Sequence, residues 1–168
     1  MLLGARLTNP KDPIDTDVDV REPRIKAGIL LTAPGNGGEE LSDYVRGHFP
    51  EFNPDYSHLS TRTLVVIGDA DVNPFMTVRR PEWYTAAFRD GPGCDAMLTV
   101  IGGTHGLGGI AGYDARETSD ESPDRLATVQ RMTAACLRSA LYPADPSWAD
   151  ASKALQDHAS GGARIDSK

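Results

Sequence analysis

Two similar apolar, β-branched segments constrain this chain most strongly. Residues 62–68 read Arg-Thr-Leu-Val-Val-Ile-Gly and run into Asp69-Ala-Asp71, while residues 96–101 read Ala-Met-Leu-Thr-Val-Ile and run into Gly102-Gly-Thr-His105. Runs of this length, bounded by turn-forming residues, are typical of strands that are buried on both faces, as in a parallel sheet. Each run delivers a potentially catalytic side chain, Asp71 or His105, just past its C-terminal end. Open α/β sheets place their chemistry at that end of their strands.

The rest of the chain alternates between strand and helix patterns. Residues 25–33 form a third apolar run, and we expect the three strands to be neighbours in one parallel sheet, in chain order. Helices are predicted over residues 81–89, from Pro123 to about residue 142, in a short segment around 148–155, near 39–46, and over residues 1–7. The pattern predicts one α/β domain over residues 1–158, a parallel sheet flanked by helices, followed by a flexible tail over residues 159–168.

Charge and cysteine content exclude several classes of protein. The formal net charge is −7, which makes nucleic acid and anionic membrane surfaces poor partners. No apolar run approaches the roughly 18 residues that a membrane span needs. The two cysteines form neither a disulfide framework nor a Cys-x-x-Cys zinc pattern, and this favours reduced thiols in a cytoplasmic protein.

Two polar segments resemble ligand sites only superficially. Asp15, Asp17 and Asp19 alternate as in a calcium-binding loop, but Val20 stands where that loop requires glycine and Lys26 where it requires glutamate. The Gly-rich segment at residues 34–38 follows a strand, yet it lacks the spacing of a phosphate-binding loop. We therefore interpret both as connecting loops and predict neither a metal nor a cofactor.

Asp71 and His105 together indicate the last two members of a catalytic triad. In such a triad a carboxylate orients an imidazole, and the imidazole takes the proton of a nucleophile. Thr63-Leu-Val-Val-Ile-Gly68-Asp-Ala-Asp71, followed by Gly102-Gly-Thr-His105, resembles the C-terminal part of the α/β-hydrolase fold. The longer run from His105 to Tyr113 and the Glu117-Thr-x-Asp-Glu-x-Pro123 segment resemble a bacterial branch that is described as chlorophyllase-like or dienelactone-hydrolase-like.

This resemblance implies a three-layer α/β/α fold and the hydrolysis of carboxylic esters or acyl compounds without a cofactor. It assigns Asp71 as the acid, His105 as the base and Asp69 as a structural neighbour at the strand end. No Gly-x-Ser-x-Gly occurs in the chain, and residues 1–7 resemble the second half of the helix that follows the nucleophile in similar sequences. The resemblance therefore implies that the serine lies upstream of Met1 and that these 168 residues alone are inactive.

If the segment upstream of Met1 is absent, the strand at residues 25–33 lacks a neighbour on one side and has an open edge. An open apolar edge invites pairing, so we expect either a homodimer or an upstream segment there. A lost signal peptide would change the predicted cytoplasmic location.

Two other functions remain open at this point: a non-catalytic α/β binding or scaffold module, and a flavodoxin-like nucleotide-binding domain, which the Gly-rich spacing disfavours. Four nearby aromatic residues either line an apolar pocket for a small ester or acyl substrate or cover the sheet. They are Phe49, Phe52, Tyr56 and Phe75, of which Phe75 is the predicted substrate-binding residue.

Overall fold

The fold is built on a four-stranded sheet flanked by helices. In the computed structural model, residues 1–7, 19–72, 81–112, 120–157 and 162–168 are described. The strands of the described residues are β1 (Arg6–Leu7), β2 (Ala27–Leu31), β3 (Pro54–Asp55), β4 (Arg62–Gly68), β5 (Ala96–Val100) and β6 (Ala163–Ser167). The four-stranded sheet has the order β2-β4-β5-β6, and β1 pairs separately with β3.

The helices lie between and after these strands. The α-helices are α1 (Asp43–His48), α2 (Ala86–Asp90), α3 (Pro123–Leu141) and α4 (Ser147–Asp157), and the 3-10 segments are Gly38–Glu40, Pro50–Phe52 and Pro81–Thr85. The predicted long helix is confirmed: the Ser122 side chain caps α3 by accepting from Arg125 N–H, and Pro123 occupies the first turn. The segment predicted near residues 39–46 divides into a 3-10 turn and α1, because Ser42 caps a new helix there.

The predicted order and direction of the three strands are confirmed. β2 pairs parallel with β4 in the register Ile29 to Leu64, and β4 pairs parallel with β5 in the register Val66 to Leu98. Parallel neighbours end at the same edge of a sheet, so the residues that follow β4 and β5 are brought together.

Helices pack on both faces of the sheet and form two cores. Val65 and Ile67 of β4 face a core that contains Trp83, Tyr84 and Ala87 from the 3-10 segment Pro81–Thr85 and α2. Leu64 and Val66 face the opposite core, to which α3 contributes Val129, Met132 and Cys136. Each fully buried aliphatic side chain of this kind contributes about 1.5–3 kcal/mol relative to an exposed one. The alternation explains why β4 is apolar at successive positions rather than at every second one.

The predicted helix over residues 1–7 is wrong. Gly4 N–H donates to the carbonyl of Met1 over 2.9 Å, and the turn leads into β1, which pairs antiparallel with β3. Gly4 has a φ of +114°, which a right-handed helix cannot adopt, and a Cβ at this position would lie 2.5 Å from the carbonyl oxygen of His58. The backbone therefore turns here because another chain segment passes so close.

The predicted flexible tail over residues 159–168 is also wrong for Ala163–Ser167, which forms β6. This strand pairs antiparallel with β5, with Ile165 opposite Leu98. Ala163 and Ile165 pack into the same core as α3, while Arg164 and Asp166 alternate with them and form an ion pair of 3.5 Å. This alternation suits an edge strand, because charges discourage further pairing at the edge.

In the part of the chain that is described, no helix combines the length and the apolar character that crossing a membrane would require.

Candidate functional site

A tight turn delivers Asp71 from the end of β4. The Asp71 N–H donates to the carbonyl of Gly68 over 3.3 Å, so four residues reverse the chain directly after the strand. Gly68 allows this because a Cβ there would lie 2.1 Å from the carbonyl oxygen of Gly103. The segments that follow the two strands therefore approach each other more closely than any side chain would permit.

Two backbone hydrogen bonds continue the pairing of β4 and β5 past the ends of the strands. Asp69 N–H donates to Val100 over 3.2 Å, and Ala70 N–H donates to Gly103 over 3.0 Å. The loop of Asp71 is thus fixed against the loop of His105 by main-chain contacts, which do not depend on the side chains of Asp71 and His105.

His105 itself lies in a second tight turn. Leu107 N–H donates to the carbonyl of Thr104 over 3.0 Å, with His105 and Gly106 between them. Leu107 is only 1% exposed and packs into the core beneath the turn. Because Leu107 anchors the turn from below, the side chain of His105 projects from a fixed base.

The structure brings Asp71 and His105 together as predicted. His105 Nδ1 lies 3.0 Å from Asp71 Oδ2; the Asp71 side chain is 3% exposed and that of His105 65% exposed. A carboxylate accepts at this distance, so Nδ1 carries the proton and the lone pair of the neutral ring is on Nε2. Within the described residues, Nε2 has no hydrogen-bond partner. The arrangement presents one basic nitrogen to the solvent side of the sheet edge.

The environment of His105 strengthens its basicity. The hydrogen bond that the imidazole donates to Asp71 raises the pKa of His105 above its ordinary value of 6.5; partial burial opposes this shift, and the charge of Asp71 adds to it. A protonated ring is therefore stabilised at this position, which is what a general base requires once it has accepted a proton.

Asp69 has a different partner from Asp71. Its Oδ1 accepts from the N–H of Gly102 over 2.6 Å, and Gly102 takes a φ of +64° at the start of the histidine loop. This places Asp69 as the structural neighbour that was predicted, and Asp71 as the residue on the imidazole. The predicted substrate-binding residue Phe75 lies outside the described residues.

A row of aromatic rings runs from the surface to His105. Phe49, Phe52, Trp83, Tyr84 and His105 follow one another with ring centroids 5.1–6.0 Å apart. Such tilted pairs are favourable beyond the area that they bury. Two of the predicted pocket aromatics, Phe49 and Phe52, belong to this row.

Tyr56, the third predicted pocket aromatic, does not belong to this row. It is buried in the core, its hydroxyl donates to the carbonyl of Pro34 over 2.6 Å, and burial raises its pKa.

The Gly-rich loop at residues 34–38 directs two of its amides into the protein. Gly37 N–H donates to the carbonyl of Phe52 over 3.2 Å, and Gly38 N–H donates to the side chain of Asn53 over 3.0 Å. These amides are occupied, so the interpretation as a turn is more favourable than that of a phosphate-binding loop. Among the described residues, no group of three or more acidic, histidine or cysteine side chains is arranged to hold a metal ion.

Three residues that contact the histidine loop were given no role from the sequence, although Asp120 belongs to the Glu117-Thr-x-Asp-Glu-x-Pro123 segment. Thr32 is buried with a φ of +44°, and its hydroxyl donates to the carbonyl of His105 over 3.4 Å. Tyr84 faces the imidazole because the 3-10 segment Pro81–Thr85 buries both Trp83 and Tyr84. In the α-helix predicted here, Trp83 faces inward and Tyr84 does not. Asp120 binds two amides of the loop. The spacing of apolar residues does not indicate such contacts. For Asp120 alone the sequence offers a signal, the short acidic segment before Pro123.

Comparison with protein-family models, with curated proteins and with solved structures found no match to this chain.

Proposed function

We propose that Asp71 and His105 are the acid and the base of a Ser-His-Asp triad that hydrolyses carboxylic esters or related acyl compounds, in a protein of the α/β-hydrolase family. The observation that carries this proposal is the 3.0 Å contact between Asp71 Oδ2 and His105 Nδ1 across the ends of two parallel strands. The acid precedes the histidine in the chain, as in the α/β-hydrolase order of nucleophile, acid and histidine.

In the proposed mechanism, Nε2 of His105 takes the proton from a serine hydroxyl while the serine oxygen bonds to the carbonyl carbon of the ester. The tetrahedral intermediate then loses the alcohol, whose oxygen receives that proton from Nε2. Water repeats the sequence on the acyl-enzyme and releases the acid. Asp71 keeps the proton on Nδ1 and stabilises the imidazolium that forms in each half of the reaction.

The serine of this proposal belongs to a Gly-x-Ser-x-Gly segment outside these 168 residues. No serine in the chain has glycines at both the position two residues before it and the position two residues after it. Within the described residues no side chain occupies Nε2, so the basic nitrogen is available to an incoming hydroxyl. The oxyanion donors of the family come from the residue after that serine and from an earlier loop, and the proposal places them outside these residues as well.

The aromatic row supports an apolar ester as the substrate. Tyr84 contacts the imidazole, and Phe52 and Trp83 continue the row towards Phe49, which is 37% exposed. Trp83 and Tyr84 are themselves buried, so an acyl or alkoxy group would bury apolar surface against Phe49 and the partly buried Phe52 at the outer end of the row.

A non-catalytic α/β module is the second candidate function. Nε2 of His105 contacts no nucleophile among the described residues, and this favours the non-catalytic candidate. The contact of Nδ1 with Asp71 is also compatible with it, because a carboxylate can hold a histidine for structural reasons alone. The two candidates differ in one respect: only the hydrolase has a serine that becomes covalently labelled in a way that depends on His105.

The experiment compares two proteins: these 168 residues, and the product of the complete reading frame including any in-frame codons before Met1. Both are assayed with p-nitrophenyl butyrate and with a fluorophosphonate that labels active serines. The proposal predicts no turnover and no labelling for the 168 residues alone. It predicts both for the longer product, with the label in a Gly-x-Ser-x-Gly segment. In that product His105→Ala should lower kcat by about 10⁴-fold or more.

A matched control comes from a second histidine–aspartate pair. His58 Nε2 lies 3.8 Å from Asp55, and the His58 side chain is 49% exposed. His58→Ala removes a comparable exposed imidazole and should leave turnover unchanged. Turnover that survives His105→Ala, or a longer product without a labelled serine, would support the non-catalytic module instead.

A further inference from the structure

The turn that carries His105 includes a residue in an unfavourable backbone conformation. Leu107 has a φ of +48°, a region that residues with a side chain rarely adopt. Gly108 and Gly109, which follow it, also have positive φ values, of +88° and +112°. Other backbone conformations of this segment would be less strained, so contacts from outside the turn must hold it in place.

One carboxylate oxygen supplies such contacts on both sides of the turn. Asp120 Oδ2 accepts from Thr104 N–H over 2.8 Å and from Gly108 N–H over 3.2 Å. These donors immediately precede His105 and immediately follow Leu107, so a single atom closes the loop. Hydrogen bonds to a carboxylate are stronger than those to a neutral acceptor.

The start of α3 fixes the position of Asp120. Two residues later, Ser122 N–H donates to the carbonyl of Gly108 over 3.0 Å and the Ser122 hydroxyl caps α3. Arg125, in the first turn of α3, donates from Nε to the carbonyl of Ile101 over 3.0 Å. The histidine loop is therefore fastened to a 19-residue helix at both of its ends.

The other oxygen of Asp120 has no such compensation. Oδ1 is buried and has no hydrogen-bond partner among the described residues. Burying a polar oxygen without a partner costs free energy. A carboxylate at this position therefore lowers stability in a way that a smaller apolar residue would not. The two hydrogen bonds that Oδ2 accepts offset this cost.

We propose that Asp120 is a positioning residue of the site: it holds the turn from Thr104 to Gly108 so that the imidazole of His105 stays in contact with Asp71. Asp120 acts through the backbone and touches neither the imidazole nor the substrate. The geometric part of this proposal stands on the contacts alone, and only its catalytic consequence rests on the proposed hydrolase function.

The test measures the pKa of His105 in the 168-residue protein by nuclear magnetic resonance of its imidazole, assigned by comparison with His105→Gln. Four proteins are compared with wild type. Asp120→Ala removes the acceptor, Asp120→Asn keeps one amide oxygen that can accept both bonds, and Asp71→Asn weakens the direct contact. Glu121→Ala is the matched control, because it removes a neighbouring acidic side chain that is exposed.

The proposal predicts that Asp120→Ala lowers the pKa of His105 by about half a pH unit or more, since contact with an opposite charge is worth about one unit or more. Asp120→Asn should retain most of the wild-type value, and Glu121→Ala should retain all of it. If Asp120→Ala does not fold, Asp120→Ser replaces it, because its shorter side chain cannot reach both amides. A folded Ala or Ser variant with an unchanged pKa, or an Asn variant that matches it, would overturn the proposal.

Failure of this proposal is distinguishable from failure of the hydrolase proposal, because the titration needs no serine and no substrate. A pKa that falls in Asp120→Ala, in a protein whose complete reading frame shows no ester turnover, supports the positioning role and contradicts only the hydrolase. In an active longer product, Asp120→Ala should lower kcat more than it changes KM.

Discussion

The centre and the edge of the sheet have similar sequences and different environments. In β5 every residue is buried, and in β4 only Arg62 is exposed, whereas β2 has four half-buried residues and an exposed Leu31. β4 and β5 each have a strand on both sides, while β2 pairs with β4 alone in the described part of the sheet. An apolar run therefore identifies a strand, but the neighbours of the strand decide how deeply it is buried.

This difference matters because both candidate functional residues follow the central strands. Asp71 leaves β4 and His105 leaves β5, so strands that are held on both sides position them. A site that needs tolerances of a few tenths of an ångström is best built on the most rigid part of a fold.

The largest expected effect is a difference in stability between a central and an edge leucine. Leu98→Ala in β5 should lower the free energy of unfolding by about 2–5 kcal/mol, because Leu98 is fully buried and truncation leaves a cavity. Leu31→Ala in β2 should cost less than about 1 kcal/mol, since Leu31 is 39% exposed. Urea unfolding of both variants measures the comparison. Equal losses would show that β2 is covered as completely as β5.

A somewhat smaller effect is expected where the ends of the central strands meet. Gly68→Ala should cost about 1–3 kcal/mol, because its Cβ would lie 2.1 Å from the carbonyl oxygen of Gly103 and must push the two loops apart. The same change at Gly162, where no atom lies within 4 Å of the added Cβ, should be nearly neutral. Unfolding experiments and the imidazole titration of His105 test both changes. A Gly68→Ala protein of wild-type stability would contradict the close approach of the loops.

The strands and the contact between Asp71 and His105 could be predicted because each depends on a short, local signal. Apolar runs mark β2, β4 and β5, and the shared edge of parallel strands then brings Asp71 to His105. Ser122 and Pro123 mark the start of α3 through their own side chains.

Other features depend on contacts between distant segments, which no local pattern records. Residues 1–7 have good helix formers, but helix propensity is a weak preference, and the close approach of His58 to Gly4 overrides it. β6 alternates apolar and charged residues over only five positions, too few to distinguish a strand from a polar tail. Asp120 binds the histidine loop through backbone amides whose positions follow from the fold alone.

The smallest expected effect is the dependence of stability on pH at the site. Folding raises the pKa of His105, so the contact with Asp71 contributes fully below the unfolded value of 6.5, and the contribution is lost as the pH rises through the raised pKa. Because the His105 side chain is 65% exposed, solvent screening limits the contribution to about 1 kcal/mol or less.

Urea unfolding of wild type and His105→Gln, at a pH below 6 and again above 8, isolates this contribution from other titrating groups. Wild type should lose more stability than His105→Gln between the two values. If the variant instead loses as much as wild type, the raised pKa is not a property of the folded state.

The most direct test of the central claim, that Asp71 supports His105 as a general base, is the pH dependence of kcat/KM for ester hydrolysis by the product of the complete reading frame. A base must be unprotonated to act, so activity should rise with pH through a single ionisation above 6.5. Asp71→Asn should move that ionisation to lower pH and reduce the plateau by about 10⁴-fold. An ionisation at the same pH with a plateau near that of wild type in Asp71→Asn would contradict the claim.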